Sequence, residues 1–107
     1  MRENLTRREE QILLIIGHLQ NDAYLVAIRE YLSKITGKKW SIGAVHIPLR
    51  RLDRAGFIES YFGEATAVRG GRKKKIYTLT KQGMAALERN KRVHDLLWAK
   101  FLGCSGK

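Results

Sequence analysis

The chain has a single cysteine, Cys104, and a single proline, Pro48, in 107 residues. A lone thiol closes no internal disulfide and is too little for a structural zinc site, so Cys104 is expected to be an inert residue near a frayed end. Histidine is also sparse: His18, His46 and His94 stand far apart and fit no His-Glu-x-x-His or Cys-His spacing. The pair Gly70-Gly71 is not followed by the Lys-Ser or Lys-Thr ending of a phosphate loop. No catalytic residue, metal ion or cofactor is therefore expected. Long apolar runs are missing too. The aliphatic run Ile12 to Ile16 falls far short of the ~20 residues a membrane-spanning helix needs. The opening MRENLTRREE carries acid early and lacks the apolar centre of a signal peptide, which leads us to expect a cytoplasmic protein.

Positive charge is abundant. Lys and Arg number 21 against 10 Asp and Glu, a formal net charge of +11, and such a surface attracts polyanions, nucleic acid foremost. The length fits one domain with one modest core. Thr6 followed three residues later by Glu9 is a capping box, and Ile12, Ile15, Ile16 and Leu19 repeat at helical spacing, predicting a helix over about 7–20. Leu25, Ile28, Leu32 and Ile35 mark a second helix ending at Gly37. After the basic loop Lys38-Lys39, Ser41 caps a third helix carrying Ile42, Val45, Leu49 and Leu52, with Gly56 as its left-handed stop. Two strand-like runs follow, 57–62 and 75–79, on either side of the Gly-Gly turn. From the cap Thr80 a long helix is expected over 81 to about 102, with Gly103 past its end.

Three helices, a hairpin and a closing helix are the order of a winged helix-turn-helix. The fold expected is mainly α with a two-stranded wing: residues 1–80 as DNA-binding domain, 81–107 as dimerisation helix and tail. With the apolar stripe of the third helix turned inward, Gly43, Ile47, Arg50 and Arg54 fall on the opposite face, flanked by His46 and Arg51. Arginines on an exposed helix face are often only solvated. The hairpin gives this face its significance, because Arg69, Arg72, Lys73 and Lys74 crowd charge around a turn that a polyanion would neutralise. The expected DNA-contacting set is therefore Lys38, Lys39, Ser41, Gly43, Ala44, His46, Ile47, Arg50, Arg51 and Arg54, together with Arg69, Gly70, Gly71, Arg72, Lys73, Lys74 and Lys75 in the wing.

These residues carry a resemblance. Leu49, Leu52, Gly56, Phe57 and Ile58, then Gly63, Glu64, Thr66, Arg69, Gly70, Gly71 and Arg72, then Tyr77, Leu79, Thr80 and Gly83 resemble the pattern of the PadR-like winged-helix transcriptional regulators. The likeness covers about residues 9–87 and its wing motif is specific. It implies a dimeric DNA-binding repressor whose third helix enters the major groove and whose wing contacts flanking backbone or minor groove. Two positions depart from the pattern. His46 stands where the family often has Tyr, and Pro48 should either kink the third helix or displace its start toward Pro48.

Longer relatives add a C-terminal helical domain, whereas this chain resembles a short form with only the helix from Lys81. Met84 and Leu87 are expected to pack on the core. Val93, Leu97 and Phe101 form a stripe beside His94, Trp98 and Leu102 that a second copy would cover, the first helix contributing. Val93, Leu97, Trp98 and Phe101 are thus the expected dimer interface. The resemblance also implies a role for Trp98, with Phe101, in holding a flat aromatic effector, although a Trp on an interface helix more often serves packing. Trp40 is expected to be a staple or core residue between helices. The function expected is sequence-specific regulation from a pseudo-palindromic operator. A non-specific architectural or RNA-binding winged helix is the alternative that the charge alone would satisfy, and a protein-binding adaptor a third.

Overall fold

The computed structural model describes residues 4–63 and 73–105. Its elements follow the expected order: α1 (Arg7–Leu19), a 3-10 turn (Gln20–Asp22), α2 (Leu25–Thr36), α3 (Ile42–Arg54), β1 (Ile58–Phe62), β2 (Lys75–Leu79) and α4 (Lys81–Ser105). The capping box on α1 is complete. Thr6 Oγ1 accepts from the Glu9 N–H at 3.1 Å, and the Thr6 N–H donates to Glu9 Oε1 at 2.9 Å, so two of the orphan donors at the helix start are satisfied reciprocally. Ser41 caps α3 by accepting from the Ala44 N–H at 3.1 Å, and Gly37 and Gly56 take the left-handed backbone at φ 73° and 80° that ends α2 and α3.

The core lies where the first three helices meet the hairpin. Ile12, Leu13, Ile16, Ile28, Leu32, Val45, Leu49, Leu52 and Ile58 are fully buried there, with Phe57, Tyr77, Ala86 and Leu87 closing its edge. β1 and β2 pair antiparallel with Ile58 opposite Leu79 and Phe62 opposite Lys75. The segment between the 3-10 turn and α2 adds a further rung: Tyr24 bridges Ile76, and the Tyr77 N–H donates to Ala23 O at 2.8 Å. The wing is therefore stitched to the helical domain by backbone as well as by side chains.

The start of α4 is pressed onto this framework. Thr80 Oγ1 donates to Gly56 O at 2.7 Å and accepts from the Gly83 N–H at 3.0 Å, while the Thr80 N–H donates to Phe57 O at 3.1 Å. A Cβ on Gly83 would lie 2.1 Å from Phe57 O, so the approach is one only glycine allows. The Leu-Thr-x-x-Gly motif is thus the clasp between wing and last helix.

Several expectations need correction. α4 runs through Ser105 and contains Gly103, because a single glycine costs a helix only about 1 kcal/mol. Met84 is 48 % exposed; the inward row is Gly83, Ala86 and Leu87, and Met84 lies one residue round the helix from it. Ile35 and Ile42 are likewise exposed rather than core. Pro48 does not displace the start of α3, which runs unbroken from Ile42 to Arg54 with Pro48 among its buried residues. The ring takes a place in the core, and that packing offsets the hydrogen bond it cannot donate to Ala44.

Candidate nucleic-acid interface

The turn from α2 into α3 is built around Trp40. Its N–H donates to Ser33 Oγ at 3.3 Å and its indole Nε1 to Thr36 Oγ1 at 2.8 Å, while the Thr36 hydroxyl donates to Leu32 O. The Arg8 guanidinium lies 3.8 Å from the centre of the indole, a cation–π contact that joins the start of α1 to the turn. Trp40 is thus the staple expected of it, half-buried with Lys38 and Lys39 exposed beside it.

From this anchor α3 presents two unlike faces. Val45, Pro48, Leu49 and Leu52 are buried, whereas Gly43, His46, Ile47, Arg50 and Arg54 are exposed. The outward face joins positive charge to one exposed apolar side chain, Ile47, a composition suited to phosphates and to the thymine methyl of a major groove. At its entry a Cβ built on Gly43 would meet open space, so a phosphate backbone has room to approach the first turn of the helix.

Arg51 is placed differently from its neighbours. Its Nε sits 3.2 Å from Glu9 Oε2, and Glu9 is completely buried. Nothing in the spacing of the sequence paired these two: the capping box explains Glu9 locally, and only the packing of α1 against α3 brings Arg51 over it.

In the wing Lys73, Lys74 and Lys75 are exposed. Lys74 Nζ stands 4.0 Å over the Tyr24 ring and Lys75 Nζ 5.7 Å from the Tyr77 ring, so aromatic faces hold the root of the wing. Arg69, Gly70, Gly71 and Arg72 lie outside the described residues. Burial, aided by the charge of Asp53, raises the Tyr77 hydroxyl above the usual tyrosine pKa.

The far half of α4 forms a second surface. Val93, Leu97, Trp98 and Phe101 are all exposed, as are Leu96, which the stripe did not single out, and Leu102. Trp98 packs edge-on against Phe101 at 5.7 Å between ring centres and meets His94 in a second edge-type contact at 6.4 Å, and a shallow apolar pocket is lined by His94, Leu97, Trp98 and Phe101. A groove between α1 and α2, including Leu14, His18, Tyr31 and Ile35, was not anticipated; the exposed Leu14 and Ile35 are its signal in retrospect. Among the described residues no group of His, Cys, Asp or Glu could hold a metal ion, and no helix is long and apolar enough to cross a membrane.

A helical domain presenting the basic face of α3, followed by a hairpin with lysines at its root and a long closing helix, is a winged helix-turn-helix of the kind found in transcription regulators. The family model for the transcriptional regulator PadR-like family matches residues 12–89, and the chain belongs to that family. No individually curated protein matches the sequence. The solved structure of a PadR-like transcriptional regulator from Bacillus cereus superposes with a TM-score of 0.74 at 24 % identity, over 92 % of this chain and 91 % of that one. A PadR-like transcription factor from Bacteroides fragilis gives the same TM-score of 0.74 at 22 % identity, over 90 % and 87 %. A complex of hsRosR reaches 0.61 at 26 % identity, over 89 % and 70 %. The family and the Bacillus cereus and Bacteroides fragilis neighbours are transcriptional regulators or factors by description rather than enzymes.

Proposed function

We propose that the protein is a homodimeric repressor that reads a pseudo-palindromic operator. In this reading α3 enters the major groove with Arg50 and Arg54 toward the bases, and Lys38, Lys39, Ser41 and the first turn of α3 hold phosphates. Residues 63–75 of the wing lie on flanking backbone or minor groove. The observation that carries the reading is the coexistence in one chain of an exposed basic α3 face and an exposed apolar end of α4. The first suits DNA and the second suits a second copy, and two copies place two recognition helices about one DNA turn apart. Residues 81–107 serve as the dimerisation segment and residues 1–80 as the DNA-binding unit, with the pocket at Trp98 and Phe101 offering a wall to a flat aromatic effector.

Selection of bound sequences from a random duplex pool at physiological salt tests this. An enriched inverted repeat is the expected result. Firm binding without enrichment would replace it with an architectural or RNA-binding role, and no salt-dependent binding at all would leave an adaptor. The double substitution Arg72→Ala and Lys73→Ala should weaken binding to every duplex and lower the slope of log affinity against log salt by about 2. An unchanged slope would remove the wing from the interface.

A further inference from the structure

Two adjacent glutamates on the first turn of α1 grip two different helices. Glu9, buried, holds Arg51 of α3 at 3.2 Å. Glu10 Oε2 accepts from Asn90 Nδ2 of α4 at 2.8 Å, joining residues 80 apart in the chain. A carboxylate only accepts, so the Asn90 amide must turn its nitrogen this way and its orientation is fixed.

The position of Asn90 gives this bond its leverage. It is half-buried, whereas from Lys91 to Gly103 every residue is exposed. Gly83, Ala86 and Leu87 locate the root of the helix, and the bond at Asn90 ties α4 to the domain beyond that buried row. From there to Ser105 the helix runs about 22 Å at 1.5 Å per residue. A rotation of roughly 10° at Asn90 would carry its far end about 4 Å, close to the 3.4 Å rise of one base pair. A two-fold axis would apply that displacement to both protomers.

We propose that the first turn of α1 is a joint, with Glu9–Arg51 and Glu10–Asn90 as its two arms, that sets the angle between the DNA-reading helix and the dimerisation helix and so the base-pair spacing between half-sites. The proposal rests on the dimeric reading above. Asn90 and Glu10 act in it as positioning residues that touch no DNA.

The test has two readouts. In a Cys104→Ser background, spin labels at Lys34→Cys on α2 and Lys100→Cys on α4, with labelled protein diluted into unlabelled, report the angle of α4 within one protomer. The parent and Glu10→Gln, which keeps an acceptor oxygen, should give one narrow distance distribution. Asn90→Ala should broaden it or shift it by several ångströms. In duplex selection Asn90→Ala should enrich the parent's half-sites at more than one spacing, with affinity for an isolated half-site unchanged within about twofold. Parent-like distances and a single parent spacing in Asn90→Ala would overturn the joint. If the parent itself selects no repeat, the dimeric reading fails and the spacing role with it, while the distance distribution still decides whether Glu10–Asn90 fixes α4.

Discussion

The two halves of α4 obey opposite rules. Up to Asn90 the helix follows the pattern of a surface helix on a globular domain, with Gly83, Ala86 and Leu87 buried and, apart from Met84, polar residues outside; beyond Lys91 all its large apolar side chains are exposed. The described residues span 63 × 32 × 20 Å with a radius of gyration of 16.2 Å, against about 13 Å for a compact domain of this length. The difference teaches that apolar periodicity shows a face will be covered without showing by what. In the first half the cover is the chain's own core; for the second we propose a second copy.

The comparison can be broken most heavily from the core side. Leu49→Ala deletes a fully buried side chain and should cost about 2–5 kcal/mol of stability, read as a large drop in Tm by calorimetry. Leu97→Glu with Phe101→Glu should do the reverse: the domain keeps its circular dichroism spectrum and helical content while the proposed dimer dissociates, as sedimentation would record. Arg51→Ala lies between these extremes. It removes one ion partner of a buried carboxylate, but Arg51 itself is half exposed and water enters in its place, so a loss of about 1–3 kcal/mol is expected in urea unfolding. The smallest effect is on alkaline stability. Tyr77 has a raised pKa in the folded chain, so above pH ~10 the unfolded state releases this proton first and the folded state loses stability as pH rises through the folded value. Tyr77→Phe should flatten that limb of a Tm-against-pH curve and leave it unchanged below pH ~9.

Most of the fold was legible because its signals are local. The capping box at Thr6 and Glu9, the cap at Ser41, and Gly37 and Gly56 each act within one turn of chain, and each sits where its chemistry requires. The clasp was legible only as a motif: Thr80 and Gly83 stood out, but the backbone of Phe57 that makes Gly83 necessary is distant in sequence. The same limit hid Glu9 beneath Arg51 and Glu10 beside Asn90, since pairings across helices follow from packing rather than spacing. Met84 and Gly103 misled for a simpler reason. A helix period fixes relative angles, so the choice of inward row, and of where a helix stops, depended on neighbours the sequence does not place beside it.

The most direct test of the account is the mass of the intact protein by light scattering over a dilution series in the micromolar range. We predict twice the mass of one chain, falling to a single chain with Leu97→Glu and Phe101→Glu. A parent protein that stays monomeric throughout, with the end of α4 still helical, would contradict the assignment of that surface to a second copy.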